Sequence, residues 1–283
     1  MEKRRTEDNV IILNSLHNKY VRSRSTKLYV AFVDFRKYFD SINRNCLFYK
    51  MLNAGITGQV YKIIKSAYTN NRYSIKTNWG TTQTFLSTSG VKQGCTLSPT
   101  LSNIYQNDLH EIFNYDCDPV ELDGFFFNSL SWADDLVLVS KSKMGLQKCL
   151  DRLGEYCNKW QLSVNTEKTK IMVLSLGSSI CSDIKYNGNL LEPVTTYKYL
   201  GFMISSNGQF NKMLSDRIEK AKKASFVIQQ AISTTHNASV KLAMSLFEKQ
   251  IEPILLYGCP IWSIPSSSCT IRVQSARTTS KIQ

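Results

Sequence analysis

From Leu28 to Val33 the chain runs Leu-Tyr-Val-Ala-Phe-Val with no charged residue, and the next position is a carboxylate, Asp34. An apolar run of strand length without polar alternation is what a strand looks like when helices cover both faces of its sheet. It predicts a buried strand that delivers Asp34 at its end. Further on, Leu130-Ser-Trp-Ala and Leu136-Val-Leu-Val-Ser read as two short strands flanking Asp134-Asp135, a tight hairpin with two acids at its tip.

Around these acids the pattern is mixed. Val10, Leu13, Leu16 and Tyr20 follow helical spacing over 6–20. Asp40-Ser-Ile-Asn offers N-cap chemistry for a helix carrying Leu47, Met51 and Leu52 and closed by Gly55. A second helix is expected over 60–68, then a hairpin over 73–85 turning at 78–80. Ser89-Gly-Val-Lys-Gln-Gly-Cys-Thr-Leu-Ser-Pro is a glycine-bearing loop that feeds a helix, with Ser98 at the N-cap and Pro99 at the first helical position. An amphipathic helix through Leu146, Leu153 and Trp160, a strand over 171–175 and a hairpin over 197–204 follow. Beyond about Asn211 only helical spacing remains, with 240–251 stopped by Pro253. This places a boundary near 206–211. The Ser/Thr-rich stretch 264–283 is expected to be poorly ordered.

Thirty-five Lys and Arg against 22 Asp and Glu give a net charge of +13, a surface attractive to polyanions, whether nucleic acid or anionic lipid. No window approaches the ~20 apolar residues a membrane helix needs, and Met1 is followed by Glu2, Lys3, Arg4 and Arg5 rather than an apolar signal core. We read the chain as soluble and intracellular, with nucleus or cytoplasm undecided, and expect no membrane partner. The eight cysteines are scattered, without a Cys-x-x-Cys pair and with only three histidines in the chain, which speaks against a zinc site.

The acids suit magnesium, which prefers hard oxygen ligands and leaves coordination positions for substrate phosphates. Two such ions about 3.5–4 Å apart can stabilise the attacking and leaving oxygens of an in-line phosphoryl displacement. Each part also has a plain structural reading. Two Asp residues in a tight turn are good turn chemistry, Asp34 could cap a following helix, and the Ser89 loop could be an ordinary connection.

Taken together and in order, Ala31-Phe-Val-Asp-Phe-Arg-Lys-Tyr-Phe-Asp-Ser, Ser89-Gly-Val-Lys-Gln-Gly-Cys-Thr-Leu-Ser-Pro and Trp132-Ala-Asp-Asp resemble the reverse transcriptase domain of LINE-type non-LTR retrotransposons. Trp160-Gln-Leu-Ser-Val-Asn-Thr-Glu-Lys-Thr-Lys and Tyr197-Lys-Tyr-Leu-Gly extend the likeness over nearly the whole chain. The resemblance implies an α+β right-hand polymerase. Its palm, an antiparallel sheet with helices, would span 27–205 together with part of the fingers; 1–26 would be a fingers remnant and 206–263 a helical thumb.

It also implies RNA-directed DNA polymerase activity, in which a DNA primer is extended on an RNA template from dNTPs with two Mg²⁺ ions, Mn²⁺ being possible. Asp34, Asp134 and Asp135 would be catalytic and hold the metals, with Phe35 offering its backbone carbonyl. Phe39, five residues past Asp34, matches the aromatic gate against a ribose 2′-hydroxyl, which argues against an RNA product; core packing is the alternative. Gln93 and Gly94 would cradle the nucleotide and Lys168 would face its triphosphate. Tyr199, Leu200 and Gly201 would grip the primer. Lys212, Arg217 and Lys220, with Lys222 and Lys223, would meet duplex phosphates. Trp132 stands where Tyr or Phe is usual, and Cys95 where Asp is frequent. Arg4-Arg-Thr-Glu-Asp-Asn-Val resembles the close of a fingers motif lacking its upstream half, so the alternative is a truncated, non-catalytic remnant that binds RNA or RNA–DNA duplex. Oligomeric state is left open.

Overall fold

The computed structural model describes residues 5–23, 25–113, 115–177, 179–233 and 240–262, so the tail expectation lies outside the described residues. The chain divides into two compact units, one of 27–173 with 180–194, the other of 1–26, 174–179 and 195–283.

The first unit is built on the sheet the apolar run predicted. The Leu28–Val33 strand is buried along almost its whole length and pairs antiparallel with Asp135–Ser140, from Tyr29 opposite Ser140 to Val33 opposite Leu136. Ser129–Trp132 extends the sheet on that side; Lys170–Leu174, with the short parallel strand Glu192–Pro193, extends it on the other. The Lys143–Trp160 helix packs Leu146, Leu150, Leu153 and Cys157 into the same core as Ala31, Val33, Leu136 and Leu138. Ser142 caps this helix by accepting from the Gly145 N–H at 2.9 Å.

Several expected ends shift for identifiable reasons. Of the Asp40-Ser-Ile-Asn group, Asn43 is the cap of Arg44–Asn53, accepting from the Cys46 N–H, while Asp40 sits in the short helical turn Tyr38–Ser41. That turn is preceded by Lys37 at φ 44°, so Asp34 caps nothing. The helix Ser98–Gln106 has Leu97 at its N-cap position, and the Ser98 hydroxyl instead donates to the Lys92 carbonyl. The hairpin over 73–85 forms as expected, with Thr77 opposite Gly80.

In the second unit, Thr6–Leu16 continues into a widened turn, His17–Arg22. The hairpin Thr196–Tyr199 and Phe202–Ser205 pairs Tyr199 with Phe202. The helix Asn211–Ser233 follows, and Ala221 packs against Ile251 and Leu255. Pro253 does not end the helical region. It lies in the first turn of Glu252–Leu256, where a missing N–H breaks no helical bond. No helix of the described residues is long and apolar enough to cross a membrane.

Candidate active site

Val33 is the last residue of its strand to pair, opposite Leu136, and Trp132 pairs with Asp135. Continuing the first register by one residue sets Asp34 opposite Asp135, so the sheet itself brings the acids to one edge. Antiparallel neighbours stand about 4.5–5.5 Å apart at Cα, close enough for carboxylates to feel each other. They do: Asp135, though exposed at its surface, has its carboxyl pKa pushed up to about 6 by partial desolvation, then by Asp134, then by Asp34.

The hairpin carrying the acids is not the turn expected. Its two central residues are Ala133 and Asp134, because Asp135 is already the first residue of the strand. Ala133 takes positive φ, 51°, whereas neither aspartate does. Tolerance of positive φ by Asp therefore does not account for the pair. The turn places its conformational cost on an alanine and leaves the acids in ordinary backbone.

The backbone of Asp34 is held from the opposite side. Its N–H donates to the Thr169 hydroxyl at 3.2 Å, and its carbonyl accepts from the Asn165 N–H at 2.7 Å. Phe35 bridges Val164, with Arg36 N–H donating to the Ser163 carbonyl on one side and the Asn165 bond on the other. In that kind of pair the Phe35 backbone groups point away from Val164, toward the side of the acid hairpin. A carbonyl so turned is compatible with the ligand role implied for Phe35.

A cavity of about 630 Å³ opens beside Asp34, lined also by Arg36, Lys37, Asp40, Asn165, Glu167 and Lys168. Lys168 shares this cavity with Asp34, while Asp134 and Asp135 stand outside its lining. Among the described residues no group of three or more His, Cys, Asp or Glu is gathered tightly enough to hold a metal ion as the chain stands. The donor set nevertheless fits magnesium: carboxylates that repel one another, a carbonyl, and room for phosphate oxygens.

Phe39 is partly buried against the main core and meets Tyr38 edge-on at 5.5 Å, so it has both a packed side and an open one. Tyr38 beneath it is buried, donates to the Ser102 carbonyl, and has its phenol pKa raised by burial and, to a lesser degree, by Tyr105 and Asp134. Gln93 lies exposed on the loop and donates from Nε2 to Asp40 at 3.2 Å. Gly94 has φ +79°, but open space surrounds the place its Cβ would occupy. The close approach in this loop belongs to Gly90, whose Cβ would meet the Asp40 backbone at 2.9 Å.

The residues expected at the primer form a clamped tip. Leu200 and Gly201 take φ of 47° and 82°, the two-residue turn that suits hairpin twist. The Leu200 carbonyl accepts from the Tyr257 hydroxyl at 3.1 Å, and the Gly201 carbonyl accepts from Arg217. Tyr199 is buried, its hydroxyl accepting from Asn9. Arg217 therefore departs from its expected place among solvated phosphate contacts: its guanidinium turns inward and stacks 4.4 Å from the Tyr257 ring. Lys220 pairs with Asp216 and Lys223 with Glu219 at i, i+4, while Lys212 and Lys222 are exposed.

Residues 1–204 match the family described as reverse transcriptase (RNA-dependent DNA polymerase), and the chain belongs to that family. The fold agrees: a telomerase from Candida tropicalis, solved in complex with a TWJ fragment of telomeric RNA, matches 96% of this chain and 52% of its own at TM-score 0.52 and 13% identity. Both share the right-hand polymerase fold. Among relatives, the RNA-directed DNA polymerase from mobile element jockey of Drosophila melanogaster is 24% identical over 261 residues, 89% of this chain and 28% of that protein. The probable RNA-directed DNA polymerase from transposon BS of the same organism is 24% identical over 253 residues, 86% and 27% respectively. The expected likeness to non-LTR retrotransposon enzymes is borne out, and the chain spans just over a quarter of the length of these relatives.

Proposed function

We propose that this chain is the catalytic part of an RNA-directed DNA polymerase that extends a DNA primer on an RNA template from dNTPs. The observation that carries the reading is the convergence of Asp34, Asp134 and Asp135 at one sheet edge, where partial desolvation and then the charges of Asp134 and Asp34 push the Asp135 carboxyl pKa up to about 6. Clustered like charges are costly unless a cation answers them.

Two magnesium ions, when bound, supply electrostatic stabilisation to the attacking and leaving oxygens. In this reading Asp34 and Asp134 hold them with the Phe35 carbonyl, and Asp135 sets the charge at the primer end. Lys168 faces the triphosphate, and its cation offsets negative charge on the departing pyrophosphate. Phe39 bars a 2′-hydroxyl, and Gln93 and Gly94 seat the incoming nucleotide. The hairpin of Tyr199, Leu200 and Gly201 holds the primer, with the 27–205 region serving as palm, 206–263 as thumb and 1–26 as part of the fingers. Lys212 and Lys222, both exposed, meet the duplex phosphates in this reading.

The test is primer extension by the purified chain on an RNA template with magnesium, manganese or calcium. Extension with the first two, and duplex binding but little turnover with calcium, is the expected result, because calcium shares magnesium's ligands but not its geometry. Extension at equal rates in calcium would contradict the metal roles. Phe39→Val should raise ribonucleotide incorporation; unchanged selectivity would return Phe39 to plain packing.

A further inference from the structure

Arg44 opens the helix Arg44–Asn53 and is only 7% exposed, yet among the described residues no carboxylate pairs with it. A buried guanidinium ordinarily needs an acid; here all its donors meet neutral oxygens. Nε donates to the Gly90 carbonyl at 2.9 Å. One terminal nitrogen donates to the carbonyls of Tyr68, at 3.1 Å, and Ser87. The other donates to the Ser87 hydroxyl at 3.0 Å and the Ser89 carbonyl at 2.8 Å. Five N–H groups and five acceptors form a complete set, and the guanidinium also stands over the Tyr68 ring at 5.7 Å.

Three of the acceptors lie on Ser87 and Ser89, and a fourth on Gly90, at the root of the loop that carries Gln93. That root is laced to the segment after Asp34: Gly90 N–H donates to the Ile42 carbonyl and Val91 N–H to the Phe39 carbonyl, both at 2.8 Å. Gly90 can lie so close only because it has no Cβ. The distance between Phe39 and Gln93 is therefore fixed by two backbone bonds that Arg44 braces from behind.

We propose that Arg44 is the positioning residue of the nucleotide site, holding the Ser89–Gly94 loop in register with Phe39 without touching the nucleotide. The proposal rests on the polymerase reading for what the loop binds. Arg44→Lys keeps the charge but cannot reproduce a planar five-donor fork. Gly90→Ala displaces the same loop by another route and leaves Arg44 untouched.

The experiment measures these two variants and Arg44→Gln in the full chain by hydrogen exchange and single-nucleotide kinetics. Exchange at Gly90 and Val91 should rise about tenfold or more in Arg44→Lys, with the 136–140 strand unchanged, as for a local opening. KM for the dNTP should rise about tenfold, with kcat and duplex affinity within about threefold, since a loop shift of an ångström costs that much or more. Gly90→Ala should reproduce the KM effect and Arg44→Gln exceed it. Unchanged loop exchange in Arg44→Lys overturns the proposal, as does exchange rising equally in the 136–140 strand. A loop that loosens while KM stays put also overturns it. If wild type extends nothing, the polymerase reading and the nucleotide role fall together. Exchange then still reports whether Arg44 holds the loop, which separates the two failures.

Discussion

The chain contains two hairpins of the same loop length and opposite use. Trp132 to Asp135 and Tyr199 to Phe202 each close a strand pair with two central residues, and each puts its first central residue at positive φ, Ala133 and Leu200. At the first tip two carboxylates crowd with Asp34. At the second, carbonyls are tied down by Tyr257 and Arg217. A two-residue loop thus serves both a tip that concentrates charge and a tip that is held still. The difference lies in what the rest of the fold brings to each.

If that division is right, damage to the first tip should remove chemistry while sparing stability. Asp134→Asn is expected to lower primer extension on the order of 10²–10³-fold or more, with duplex affinity close to wild type and a thermal midpoint no lower than wild type. Loss of duplex binding in parallel would break the division, because it would make the acid structural. The cavity beside Asp34 offers a smaller effect. Lys168→Ala should raise KM for the dNTP about tenfold, the cost of losing one charge-assisted contact; steady-state incorporation measures it, and an unchanged KM would make Lys168 a solvated lysine.

The burial and crowding of Asp135 also have a signature without substrate. The folded pKa of Asp135, about 6, lies above the ordinary carboxylate value of 3.8. Between those values the folded chain keeps a proton that the unfolded chain has released, so this group's contribution to stability falls as pH rises through the window. In chelator, Asp135→Asn should therefore raise the thermal midpoint by a few degrees at pH 7.5 and by nearly nothing at pH 4. Magnesium should shrink the gain at pH 7.5. A gain independent of pH would mean that Asp135 is neither desolvated nor crowded as described.

The acid edge was legible because it depends on local pattern: an uninterrupted run ending at Asp34 and two short strands about an acid pair. What escaped depends on closure in three dimensions. Thr169 and Asn165 grip the Asp34 backbone from a segment more than a hundred residues away, and neither residue type announces that in sequence. Arg44 in a first helical turn and Arg217 in a lysine-rich helix both pattern as solvated charges. The structure turns both inward onto carbonyls. Gly94 drew attention as part of the motif, while the glycine that must lack a Cβ against protein is Gly90.

The clamped tip gives the smallest expected effect and tests the other half of the comparison. Tyr257→Phe keeps the ring that packs on Phe202 at 4.8 Å and removes only the hydroxyl that donates to the Leu200 carbonyl. A single such bond is worth about 0.5–1.5 kcal/mol net, because the carbonyl can turn to water once released. Urea denaturation should register that loss with an unchanged slope. Extension should change by only a fewfold, and the change should fall in primer affinity rather than in KM for the dNTP. A large drop in the chemical step would mean that the second tip does more than hold.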